Sequence, residues 1–281
     1  MTRAMTRTEE IRFLNDLPVD RVIGMAGERL QIFENAHEID LCIAELMFKE
    51  LTGPEKKSYI FPYGPVGEYP LLVDMLNSRK IPINADNIFF MDEYADQSGK
   101  ELPETHPLSF KGGAMRYFKQ LDTALLSDKT SIVFPSSGNI TQLSAMIRDS
   151  GGIAVCFGGI GIHGHMAFNE PAGGVRDTDP NLVDLNKYTV TINAVRESTG
   201  GNIYNFPKKA YTLGMNQIME SKRIILSCRN GLKEIDWANT VLRIALLGQT
   251  GDDFPVTWLR THKDYLILTD RDTLKNPVNR I

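Results

Sequence analysis

Between Gly158 and Glu170 the chain places four glycines, two histidines and a glutamate within thirteen residues. The apolar run at 153–157, Ile-Ala-Val-Cys-Phe, comes just before and reads as a strand buried on both faces. Glycines after such a strand let backbone approach a ligand closely. Two imidazoles and the carboxylate of Glu170 leaving the strand's end form an acid–base set where α/β proteins place their sites. His163 and His165 stand two apart, so in an extended segment they share a face, which a metal site would also need. No cysteine or second carboxylate sits at ligand spacing nearby, so acid–base use is preferred and no metal is expected.

Three other stretches carry chemistry-bearing residues. The strand at 88–91 ends on Asp92-Glu93, and two carboxylates at a strand terminus are costly to bury without partners or work. A site and a solvated acidic turn are both open for this pair. The strand at 58–62 runs through Tyr63-Gly64-Pro65-Val66-Gly67 into a helix over 68–77, a layout that can present backbone N–H groups to an anion. Pro65 removes one of those donors. The buried strand at 223–228 leads into Asn230-Gly231-Leu232-Lys233, again a glycine loop opening a helix, with Lys233 on its first turn.

The elements that must position these residues follow from periodicity. From Asn35, the spacing of Ile39, Cys42, Ile43, Leu46, Met47 and Leu51 predicts a helix that Gly53-Pro54 stops. Further helices are expected over 108–122, interrupted early by Gly112-Gly113, over 139–148, and from Lys233 to about Leu247. Short strands are expected at 30–33, 131–134 and 265–269, and the alternation at 188–192 predicts another. Residues 1–29 show no dominant period and read as an N-terminal arm with one short helix near 8–14. Alternating buried strands and helices without a linker predict one α/β domain over 1–281. Its sheet is expected to be mainly parallel and open, with helices on both faces, Rossmann-like.

Composition limits the function. The chain has 281 residues, 42% of them hydrophobic and 23% charged, which is ordinary for a globular protein able to bury a substantial core. A formal charge of −4 argues against a general nucleic-acid binder, yet a local cationic pocket could still take an anionic small molecule. Three cysteines are an odd number, two of them in apolar strands, which fits free thiols in a reducing compartment. No stretch is long and apolar enough to span a membrane, and the first ten residues are not signal-like, so a cytoplasmic location is expected.

With these pieces in place, the chain resembles the glucosamine-6-phosphate deaminase/isomerase family, which is related in fold to 6-phosphogluconolactonases. The resemblance covers roughly residues 59–269. It rests on Met91-Asp92-Glu93-Tyr94, on Leu102-Pro103-Glu104-Thr105-His106-Pro107 with Ser109, on Gly158 to Gly161 with Gly164-His165-Met166-Ala167-Phe168-Asn169-Glu170-Pro171, and on Asn230-Gly231-Leu232-Lys233. It implies ring opening of an amino-hexose phosphate, isomerisation to the ketose and release of ammonia, without cofactor. Asp92 would move a proton between C2 and C1, His165 would open the ring, and Glu170 would orient that imidazole. Gly64, Gly164, Lys233 and Arg196 would hold the substrate or its phosphate, and a homo-oligomer is implied.

Three departures from the family pattern concern the ligand. His163 stands where the family has an aspartate, so it joins the catalytic set as an imidazole. Tyr63-Gly64-Pro65-Val66 replaces a Thr-Gly-Gly-Thr-like loop, and the segment after Thr189 is shortened, leaving Arg196 as the nearest counterpart of a second phosphate-binding arginine. A related sugar as ligand, a non-catalytic sugar-phosphate sensor and a lactonase-type hydrolase are the alternatives.

Overall fold

The structure, a computed structural model, describes residues 5–231 and 236–278. Its strands are β1 (Leu30–Phe33), β2 (Ser58–Phe61), β3 (Asn87–Phe90), β4 (Asp92–Ala95), β5 (Ser131–Val133), β6 (Ile153–Gly159), β7 (Asn181–Asp184), β8 (Lys209–Thr212), β9 (Arg223–Cys228) and β10 (Tyr265–Asp270). Seven of them form a parallel sheet in the order β1-β10-β9-β6-β2-β3-β5. From β2 the chain winds outward through β3 to β5. It then returns to β6 on the other side of β2 and winds the opposite way. The neighbouring C-terminal ends of β2 and β6 are therefore the point where the winding reverses, where open α/β sheets leave a crevice.

The helices are α1 (Arg7–Asp16), α2 (Val19–Ala26), α3 (Ala36–Leu51), α4 (Glu68–Arg79), α5 (Phe110–Phe118), α6 (Leu143–Asp149), α7 (Lys187–Arg196), α8 (Met215–Met219), α9 (Trp237–Leu247) and α10 (Arg271–Leu274). They cover both sheet faces, and strand alternation shows it. Ile60, Phe89, Cys156 and Leu226 pack in one core with residues of α6 and α9. Their neighbours Tyr59, Phe61, Phe90, Phe157 and Ile225 pack in the other with α3, α4 and α5. Successive side chains of a strand point to opposite faces, so strands buried on both sides carry no polar alternation. The expected parallel α/β architecture is observed.

A second, antiparallel sheet of three strands, β4-β8-β7, extends over the C-terminal edge of the first. With α7 it closes a small core of Tyr94, Phe168, Val190, Ala194 and Phe206. No sequence signal marks β7 or β8, and the residues at 188–192, whose alternation predicts a strand, do not form one. They are helical instead. Asn186 accepts hydrogen bonds at its side-chain oxygen from the N–H groups of Tyr188 (2.9 Å) and Thr189 (3.0 Å), which caps α7.

The described residues 5–29 of the expected N-terminal arm hold more regular structure than one short helix. A capping box between Thr6 and Glu9 starts α1, and α2 follows at once. The buried Arg243 of α9 donates to the carbonyls of Leu14 (2.9 Å) and Leu17 (2.8 Å), which fixes the end of α1. Gly112-Gly113 does not interrupt α5. A Cβ on Gly113 would collide with the Tyr63 hydroxyl, so the glycine there lets the helix approach the pocket loop. All three cysteines are free, two of them buried. Among the described residues no helix is long and apolar enough to cross a membrane.

Candidate active site

Where β2 and β6 diverge lies a cavity of about 650 Å³. Each strand around it delivers its following residues to the wall: Gly64 to Gly67 after β2, Asp92 after β3, Gly159 to Gly161 and His165 at the end of β6, and Ser227 and Arg229 at the end of β9. Asn193, Arg196 and Glu197 close the far side from the end of α7, and Tyr63, Phe110 and Phe168 form an aromatic wall.

The two carboxylates at the start of β4 have separate fates. Alternation along the strand points Asp92 and Tyr94 into the cavity and Glu93 away from it. Glu93 accepts from the Ser109 hydroxyl (3.0 Å) and from the N–H groups of Tyr94 (2.9 Å), Phe110 (2.9 Å) and Lys111 (2.7 Å). It thereby satisfies the start of α5, where a negative charge is favoured. Asp92 is 7% exposed and has no hydrogen-bond partner among the described residues. Burial first, and the neighbouring Glu93 second, hold its pKa well above the usual carboxylate range.

His165 is 8% exposed and also faces the cavity. Its Nε2 edge lies over Gly161, where any Cβ would strike the ring. Burial, then the nearby His163 and Arg196, depress its pKa to about 3 against an opposing Ile162 carbonyl, so the ring is neutral. His163 and Glu170 do not line the cavity; they stand behind His165. One ring nitrogen or carboxylate oxygen of each of the three lies within 4.8 Å of the others. Glu170 Oε2 accepts from the Asn186 N–H (2.7 Å), and His163 Nε2 meets the Asn186 side-chain nitrogen at 3.1 Å. Burial raises the Glu170 pKa, against the Thr189 hydroxyl and the Asn186 N–H. Three buried atoms of this group, His163 Nδ1, His165 Nδ1 and Glu170 Oε1, have no partner among the described residues. Among those residues no second carboxylate joins them, yet this trio has the spacing a metal ion would need.

The expected binding residues are placed unequally. Gly64 and Arg196 line the cavity. Gly164 does not: it is buried at a φ of +70°, and a Cβ there would strike Val256, so its part is to shape the loop that carries His165. Lys233 lies outside the described residues, although Gly231 reaches the cavity wall. Arg196 lies over the Trp237 ring (5.2 Å), and desolvation first, then Arg229, lower its pKa against Tyr94 and Glu197.

Sequence reasoning missed Arg229, Asp40 and Arg116. Arg229 pairs with Asp40 at 3.0 Å and donates to the Ala36 carbonyl at 2.9 Å, and both members of the pair line the cavity. Its position directly after a buried strand was an available signal, as was Asp40 on the apolar stripe of α3. Arg116, in the last turn of α5, gave none.

No established family profile matches the chain. It is 29% identical over 260 residues to a glucosamine-6-phosphate deaminase of Clostridium perfringens, covering 88% of this chain and 98% of that protein. It is 30% identical over 215 residues to glucosamine-6-phosphate deaminase 1 of Bacillus subtilis, covering 74% of this chain and 81% of the relative. Among solved structures, a monomeric glucosamine-6-phosphate deaminase superposes with a TM-score of 0.70 at 24% identity, over 89% of this chain and all of the other. A 6-phosphogluconolactonase of Trypanosoma brucei superposes at 0.59 with 13% identity, over 88% of this chain and 97% of that chain.

Proposed function

The chain belongs to the glucosamine-6-phosphate deaminase family, and we propose that it opens an amino-hexose phosphate, isomerises it to the ketose and releases ammonia. One observation carries this reading: a carboxylate without hydrogen-bond partners among the described residues and a neutral imidazole share one cavity with Arg196 and Arg229.

In this reading His165 exchanges protons with the C1 hydroxyl and the ring oxygen, which opens the ring. Asp92 then carries the proton from C2 to C1, which leaves an iminium at C2; water adds there, and ammonia leaves as the C2 carbonyl forms. Burial makes Asp92 a strong base once ionised, and the ammonium of a bound amino sugar supplies the positive charge that favours ionisation. Arg196 meets the phosphate. It has no ion pair among the described residues, whereas Arg229 is engaged by Asp40. Glu170 acts through His165 and is a positioning residue, and Lys233 adds a second cation to the phosphate end. Tyr63 and Pro65 give this pocket a less polar rim than a threonine-rich loop would, which suits a related amino sugar as readily as glucosamine 6-phosphate.

A cytoplasmic location belongs to the same proposal. So does self-association, although the solved monomeric relative bears the activity named for it as a single chain; sedimentation velocity at micromolar concentration decides between one and several subunits. The function itself is tested by ammonia release from glucosamine 6-phosphate and related amino-hexose phosphates, coupled to a dehydrogenase. Turnover that Asp92→Asn reduces at least a thousandfold while binding persists is expected. Turnover kept by that variant, or hydrolysis of a phosphosugar lactone with no ammonia from any amino sugar, would overturn it.

A further inference from the structure

The exchange of a carboxylate for His163 changes which way hydrogen bonds can run behind His165, and Asn186 decides the direction. The Asn186 side-chain oxygen is occupied by two backbone N–H groups at the start of α7. Its NH₂ must therefore be the group that faces His163 Nε2 at 3.1 Å. Nε2 accepts this bond, so the neutral His163 ring carries its proton on Nδ1. That Nδ1–H is one of the three buried atoms of this group without a partner among the described residues, and the other two, His165 Nδ1 and Glu170 Oε1, are its potential acceptors. An aspartate at this place could only accept. His163 presents a donor.

We propose that His163 is a tautomer-setting residue. Its Nδ1–H, directly or through one bridging water, leaves His165 Nδ1 as an acceptor and its Nε2 protonated toward the cavity. This deepens the proposed function and rests on it for its consequence. Ring opening would then start with His165 as the acid: Nε2–H gives its proton to the ring oxygen as the C1–O bond breaks. The same nitrogen takes the proton from the C1 hydroxyl as the C1 carbonyl forms. Protons balance, and the ring returns to its starting tautomer. The same bonds disfavour a metal ion in the trio, because the His163 Nε2 lone pair is engaged and Nδ1 bears hydrogen.

The experiment reads the tautomers directly and needs no turnover. Full-length protein labelled with ¹⁵N-histidine is examined by long-range proton–nitrogen correlation near neutral pH, with His163→Asp and Asn186→Asp for assignment and test. The expected spectrum shows His163 protonated at Nδ1 and bare at Nε2, with His165 the reverse. His163→Asp supplies an acceptor and should move the His165 proton to Nδ1. Asn186→Asp keeps a good helix cap but makes that side chain an acceptor only, so it should move a His163 proton to Nε2. A His165 already protonated at Nδ1 in the native protein would overturn the proposal. So would a His165 tautomer indifferent to His163→Asp, or stoichiometric Zn²⁺ binding that displaces both rings' signals. Absence of ammonia release with the expected tautomers would instead count against the proposed function alone.

Discussion

Glu68 offers a test of the electrostatics beneath the pocket that is independent of any substrate. It is the first residue of α4, 1% exposed, and burial raises its pKa from 4.5 to about 8. The charge of Asp40 adds to the rise, while its own backbone N–H and Arg229 oppose it. An acid whose folded pKa is raised holds its proton more tightly folded than unfolded. Its contribution to stability is therefore complete below about pH 4.5, is lost progressively as pH rises toward about 8, and changes no further above that. At about 1.36 kcal/mol per pH unit the loss is on the order of 5 kcal/mol. Glu68→Gln imitates the protonated form at every pH. Relative to the native protein, the variant should gain on the order of 5 kcal/mol between pH 5 and pH 9, about 10 °C in melting temperature for a chain of this size. Any constant effect of the amide cancels in that difference, and the other raised carboxylates, Asp92, Glu93, Glu170 and Glu197, titrate in both proteins. Thermal melts followed by circular dichroism at the two pH values provide the comparison. A difference in melting temperature that stays the same from pH 5 to pH 9 would refute the reasoning.

Further outcomes follow from single contacts. Gly161→Ala places a Cβ in the His165 ring. It should lower kcat at least a hundredfold while costing only about 1–3 kcal/mol of stability, which kinetics and melts separate. Arg196→Met keeps the packing over Trp237 but removes the charge. It should raise KM about ten- to a hundredfold, in line with roughly 1.5–3 kcal/mol for a charged hydrogen bond, and a phosphate-free amino sugar should feel little of that change. Arg243→Met removes the buried guanidinium donor that the carbonyls of Leu14 and Leu17 share. It should cost about 2–4 kcal/mol, visible in urea unfolding and as faster proteolysis within α1 and α2.

The parts of the fold that were legible in sequence are those where a short stretch decides its own structure. β2, β6, β9 and β10 are apolar runs buried on both faces, and α3 shows its stripe and its stop. Asp92 and His165 could be found because each leaves the end of such a strand. What could not be read depends on partners far along the chain. Glu93 differs from Asp92 only because α5 begins beside it and takes up its oxygens, sixteen or more residues later. The residues at 188–192 alternate like a strand, but the Asn186 cap and the buried Thr189, Val190 and Ala194 make them a helix. β7 and β8 are four residues each and exist only by pairing with each other and with β4. The helical N-terminal segment was signalled by Thr6 and Glu9, yet its seat against Arg243 was not.

The most direct test of the central claim is the crystal structure of the Asp92→Asn protein soaked with glucosamine 6-phosphate. The account predicts an intact sugar in the cavity, its C1 and C2 between position 92 and the Nε2 edge of His165, and its phosphate against Arg196. A sugar bound with C1 and C2 remote from both side chains, or with its phosphate at the His165 end, would contradict it.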